Sequence, residues 1–152
     1  MIEDKIKELG YMLPEAPKPL AAYVPAVKVD NMVFTSGQLP TENGVLKIKG
    51  KVGAQVSEED GIKAAEICAL NCLSAVKSII GSLNKIEQIV KLTAFVNSSD
   101  YFTSQPKIAN GASELLVKIF GEKGKHARSA VGVSELPLDA PVEIEMIVKV
   151  KN

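Results

Sequence analysis

Arg128 sits in a run of Ala127, Ala130, Val131 and Val133, and the nearest acidic residue in the run is Glu135. A guanidinium keeps its charge at any ordinary pH and carries a planar fork of donors matched to a carboxylate. In a cleft, such a group waits for an anion from outside the chain, and a small carboxylate fits best. The next β-run carries Glu143, with Glu145 beside it. Either could handle a water molecule or sit solvated on a strand face, and spacing alone does not choose. Ser36 has the type of a nucleophile but not the company: the lone histidine is His126, and no G-x-S-x-G elbow surrounds the serine. Hydrogen bonding to a ligand, by its hydroxyl or by the Gly37 amide, suits it better. Tyr23 is equally a packing residue or a cleft residue. His126 lies two residues from Arg128, hence on the same strand face, and is expected to be a bystander.

The elements that must position these residues follow from periodicity. Ile2, Ile6 and Leu9 mark a short helix over residues 2–9, and a stretch with Pro14, Pro17 and Pro19 is expected to run extended. Short strands at 26–29 and 32–36 flank Asp30-Asn31, a pair that tolerates a tight turn. Gly37-Gln38-Leu39-Pro40 breaks the second strand, and a further short run lies at 45–48. Ser57 followed by Glu58, Glu59 and Asp60 reads as a helix N-terminus. Ile62, Ala65, Ala69, Cys72, Val76 and Ile79 make its apolar stripe, and Gly81 stops it. A β-branched strand at 86–96 follows, then a helix capped by Thr103 that runs from near Pro106 to Phe120.

The last two runs, 126–133 and 142–150, read as a strand-turn-strand with its turn near Pro137-Leu138. That hairpin would set Arg128 opposite residue 147, four residues from Glu143 or ~13 Å along the strand, too far for an ion pair within one chain. Residues 1–152 are thus expected to form one α+β domain, a single mixed sheet of five to six strands with two helices on one face and an extension at 1–18. Val90, Leu92, Ala94 and Val96 beside Ile89 and Phe95 make the central strand apolar on both sides. A second copy is the simplest cover for the uncovered sheet face.

Composition narrows the function classes. The 152 residues are 46% apolar and 24% charged, the balance of a globular domain, and 18 basic residues offset 18 acidic ones. No net field draws the chain to nucleic acid or an anionic membrane, and aromatics for base stacking are sparse. The cluster of Lys118, Lys123, Lys125, His126 and Arg128 is expected to be a solvated rim. Cys68 and Cys72 share a helix face without the further ligands of a zinc site. No secretory core or bilayer-length apolar run occurs. A cytoplasmic protein with no metal, no cofactor and no nucleic-acid or membrane partner is expected.

Three segments carry a resemblance: AYVPAVKVDNMVFTSGQLP at 22–40, Asn110 in the second long helix, and HARSAVGVSELPLDAPVEIEMIV at 126–148. The T-S-G-Q-L-P turn and the A-R-S…L-P…V-E-I-E run, in this order, resemble the reactive-intermediate deaminase family, RidA/YjgF, from about Pro19 to Val150. The resemblance implies a chorismate mutase-like fold (bacillus type) assembled as a homotrimer with intersubunit clefts. It implies hydrolysis of enamines and imines of the 2-aminoacrylate type to 2-keto acids and ammonia, without cofactor. By position it makes Arg128 the carboxylate-binding arginine, Glu143 the water-handling glutamate, and Tyr23, Ser36, Gly37, Asn110 and Ala130 substrate-binding residues. Two other activities compete: a non-catalytic trimer that binds or senses keto or amino acids, and an endoribonuclease or translation inhibitor. One histidine and zero net charge disfavour the last.

The chain also departs from that pattern. Val24-Pro25 follows the tyrosine where an amide is frequent, and Ala130 replaces a frequent cysteine. The interval from Asn110 to Arg128 is one residue longer, and His126 occupies an expected proline or apolar position.

Overall fold

The computed structural model describes residues 1–16, 18 and 22–152; Pro17 and Pro19 of the expected extended stretch lie outside those residues, while Pro14 is in irregular backbone. The chain runs α1 (Ile2–Glu8), β1 (Ala26–Val29), β2 (Met32–Thr35), β3 (Thr41–Glu42), β4 (Val45–Leu46), α2 (Glu58–Ile80), β5 (Ile86–Asn97), α3 (Gln105–Phe120), β6 (Ala127–Val133) and β7 (Val142–Val150). Five strands form one mixed sheet in the order β1-β2-β7-β5-β6, and β3 and β4 make a separate two-stranded ribbon. Among the pairings of the five-stranded sheet, β5–β6 is parallel and the others are antiparallel.

Local chemistry explains the boundaries. The Ser57 hydroxyl accepts from the Asp60 amide while Glu58, Glu59 and Asp60 face the positive end of α2. Gly81, at φ 85°, closes it with its amide on the Lys77 carbonyl. Ile80 rather than Ile79 turns inward in the last turn, leaving Ile79 exposed. α3 accepts Pro106 in its first turn, where no intrahelical donor is lost. Its N-cap is Ser104 rather than Thr103, without a side-chain bond. Asp30, at φ 51°, makes the two-residue turn that joins β1 to β2.

α2 and α3 cover one sheet face. Val33, Leu92, Ala94, Val96, Ile144, Met146 and Val148 are sealed beneath Ala65, Cys68, Ala69, Leu73, Ile108, Leu115 and Leu116. α1 joins this core through Ile6, fully buried, and the Ile2 amide donates to Asn84 Oδ1 at 2.9 Å. A register slip between Ile89 and Lys91 changes which residues of β5 point inward. Ile89, not Val90, therefore shares the core face with Leu92, Ala94 and Val96. The other sheet face stays open and partly apolar, with Val27, Phe34 and Val131 exposed. Phe34, Lys91, Thr93, Glu145 and Ile147 border a hollow of about 110 Å³ there. Among the described residues no helix is long and apolar enough to cross a membrane.

The expected closing hairpin does not form. β6 and β7 both pair with β5, which lies between them. The segment joining them crosses the end of β5 through Pro137–Asp139, with Leu138 and Asp139 in the left-handed region. Arg128 thus pairs with Leu92, and Leu92 with Met146, so Arg128 lies two strands away from Glu143 rather than on the adjacent strand opposite residue 147.

Candidate functional site

Arg128 projects from the edge strand β6 onto the helix-covered side, in register with Leu92. There α3 presents Asn110 and Ser113, three residues apart and so on one helix face. Arg128 Nη1 donates to Asn110 Oδ1 at 2.8 Å and to Ser113 Oγ at 3.2 Å. Both acceptors are neutral, and Arg128 forms no ion pair with a carboxylate among the described residues. Neither Glu143 nor Glu145 pairs with Arg128, in keeping with the expected absence of an ion pair within one chain. Ala130, one pleat further on, shares Arg128's side and packs against the core.

His126 belongs to the same group. Its Nε2 lies 2.9 Å from Ser113 Oγ and its Nδ1 2.6 Å from the Gly124 carbonyl oxygen. The expected bystander is thus tied through Ser113 to Arg128. Ser113 escaped the sequence reading altogether. The one signal was its spacing from Asn110, one helical turn along the same face, and nothing in the sequence tells that this face meets β6.

The second group gathers where β2 ends. Phe34 pairs with Ile147 but Gln38 bridges to Ile144, so four steps on one strand face three on the other. The extra residue is a bulge at Ser36–Gly37, which bends the chain and re-aims its neighbours. The Ser36 hydroxyl donates to the Val24 carbonyl at 2.6 Å, and its amide to that of Pro25 at 2.8 Å. Ser36 therefore pins the Tyr23–Pro25 segment to the turn. Tyr23 itself is exposed. Glu143 lies flush against Gly37: a methyl group added there would overlap its Oε1. Half-burial, then the charge of Glu145, raises the Glu143 carboxyl above its ordinary range. Between Glu143 and Glu145, it is Glu143 that lies against the turn and is half-buried.

The two groups face opposite ways. Register carries Arg128 to Leu92 and Met146, which point into the core, and carries Glu143 to Phe95 on the open side. Adjacent residues of a strand alternate faces, so Arg128 and Glu143 of one chain do not share a cleft. The cysteines take no part. Cys68 and Cys72 are sealed in the core with their thiols toward the Val142 and Ile144 carbonyls, and burial pushes Cys72 up to about 12.

Comparison with known proteins extends this picture. Residues 3–149 match the family model described as "YjgF/chorismate_mutase-like, putative endoribonuclease". The chain is 41% identical to Protein TCP17 of Trypanosoma cruzi over 97% of its length and 92% of that protein. It is 31% identical to a 2-iminobutanoate/2-iminopropanoate deaminase of Dermatophagoides farinae, over 91% of this chain and 93% of the relative. The crystal structure of Atu1372 from Agrobacterium tumefaciens superposes with a TM-score of 0.93 at 44% identity, covering 99% of this chain and 92% of that one. That of E. coli TdcF with bound serine gives 0.65 at 26% identity, covering 91% and 94%.

Proposed function

Because the chain belongs to the YjgF/chorismate mutase-like family, which is the RidA/YjgF family its motifs resemble, we propose that it is a cytoplasmic imine deaminase. It hydrolyses 2-iminopropanoate-type acids, formed from enamines such as 2-aminoacrylate, to 2-keto acids and ammonia. The observation that carries this reading is the Arg128 guanidinium, held by two neutral acceptors and unmatched by any carboxylate among the described residues. A fixed cation of this kind is built for an anion that arrives. The 2-iminobutanoate/2-iminopropanoate deaminase relative and the serine-bound TdcF structure support a small carboxylate of amino-acid size.

Arg128 takes the substrate carboxylate and fixes its orientation. Glu143, whose pKa burial raises, removes a proton from water as the oxygen adds to the imine carbon, and passes that proton to the imine nitrogen. In the resulting carbinolamine the hydroxyl proton passes to the nitrogen, the C–N bond breaks, and ammonia leaves the keto acid behind. Tyr23, Ser36 and Gly37 line the Glu143 side, and Asn110 and Ala130 the Arg128 side. Since one chain turns these two sides apart, the cleft forms between copies, with Arg128 from one subunit and Glu143 from its neighbour. A homotrimer of one-domain chains, each offering both half-sites, closes three such clefts. Acid-base cleavage of RNA fits less well, because both ring nitrogens of the lone histidine are already engaged.

The test is turnover. 2-Aminoacrylate generated by a serine dehydratase is offered to the protein and to semicarbazide together. The wild type should suppress the semicarbazone and Arg128→Ala should not, at unchanged assembly mass. Binding of keto acids without any suppression by the wild type would replace the deaminase with a non-catalytic small-carboxylate binder.

A further inference from the structure

Arg128 is oriented by a hydrogen-bonded series whose direction can be assigned. The Gly124 carbonyl can only accept, so His126 Nδ1, 2.6 Å away, carries a proton and donates. With Nδ1 protonated, the neutral ring presents a bare Nε2, and the Ser113 hydroxyl 2.9 Å away donates to it. The lone pairs of Ser113 are then turned toward Arg128 Nη1 at 3.2 Å, while Asn110 Oδ1 takes the other Nη1 hydrogen at 2.8 Å. Both hydrogens of Nη1 are spoken for. A guanidinium offers a carboxylate two bidentate edges, one through both Nη atoms and one through Nε and Nη2. Occupation of Nη1 closes the first and leaves the second.

We propose that His126 and Ser113 are positioning residues that fix the Arg128 guanidinium so that the substrate carboxylate docks on its Nε–Nη2 edge. This deepens the deaminase reading and rests on it. The series is anchored on backbone at one end, because Gly124 packs so closely on the Leu116 carbonyl that a side chain there would overlap it. The rotation of the guanidinium is thereby referred to the α3 backbone rather than to flexible side chains. The substrate then approaches from a direction set by this chain's own histidine.

Two readouts test this independently of turnover. Nitrogen NMR of the wild type at alkaline pH, where imidazoles are neutral, should show His126 as the Nδ1–H tautomer. Titration with pyruvate should shift the Arg128 Nε–H resonance. Ser113→Ala and His126→Ala should each weaken pyruvate binding and raise KM for the imine by roughly three- to tenfold, the worth of one lost hydrogen bond, with kcat changed less. Because the two residues act in series, the double variant should be no worse than Ser113→Ala alone. Ser113→Thr, which keeps the hydroxyl, should restore binding. An Nε2–H tautomer, or wild-type pyruvate affinity in His126→Ala, overturns the proposal. If the wild type binds pyruvate as described but turns over no imine, the deaminase reading falls while the positioning series stands. A His126→Ala chain that does not fold leaves the tautomer to decide.

Discussion

Glu143 and Gly37 act as a pair. The glutamate occupies space that exists only because residue 37 lacks a side chain. Gly37→Ala meets the tip of a flexible side chain rather than backbone, so the fold accommodates it while the carboxylate is pushed from its place. Imine hydrolysis should fall about tenfold or more, with Tm within a few degrees of wild type, by kinetics and calorimetry side by side. Glu143→Gln should abolish turnover and also alter stability. The folded protein holds the Glu143 proton more tightly than the unfolded chain, since its pKa is raised above the ordinary 4.5. Stability is therefore lost as pH rises from that value through the raised one, and glutamine removes the loss. Thermal melts across pH should show the variant matching wild type in acid and exceeding it at neutrality. At this scale the sequence marked Arg128 clearly, because an arginine in an apolar run has few bland explanations. It did not separate Glu143 from Glu145, since strand alternation treats both alike. The difference lies in the bulge at Ser36–Gly37, which follows β2 more than 100 residues away in sequence and sits between the β2–β7 ladder and the Gln38–Ile144 bridge.

The elements show where local signals suffice. Ser57, the acidic turn behind it and Gly81 bounded α2 because caps are satisfied by neighbours in sequence. The closing pair of strands misled for the opposite reason. Consecutive strands usually pair, but partner choice is a nonlocal contest, and the long, apolar β5 takes both β6 and β7 as neighbours. The parallel β5–β6 pairing, with α3 as its crossover, is what carries Asn110 and Ser113 to Arg128. α2 and α3 meet at Gly111, where a methyl group would strike the Ile62 carbonyl oxygen, which is backbone. Gly111→Ala must therefore separate the helices, and denaturant unfolding should show a loss of about 1–3 kcal/mol. Because Asn110 and Ser113 flank that contact on α3, carboxylate affinity should weaken in the same variant.

On the scale of the molecule, the sheet divides the chemistry. It places the Arg128 guanidinium on one side and the Glu143 carboxylate on the other, and its open face exposes Val27, Phe34 and Val131. In the proposed trimer, copies of the same chain would bury this apolar surface and bring the Arg128 side of one to the Glu143 side of the next. Apolar residues on both sides of β5 are legible in the sequence as an exposed sheet face, but no single-chain pattern tells which residues of two copies would meet. Subunit complementation tests this directly. Arg128→Ala and Glu143→Gln chains, each inactive alone, are unfolded together, refolded at equal ratio and assayed for imine hydrolysis. A cleft that draws its arginine and glutamate from different copies is whole in about a quarter of random pairings, so the mixture should recover about that share of wild-type activity. A mixture as inactive as its two parents, with mixed assembly verified by native mass spectrometry, would contradict the shared cleft.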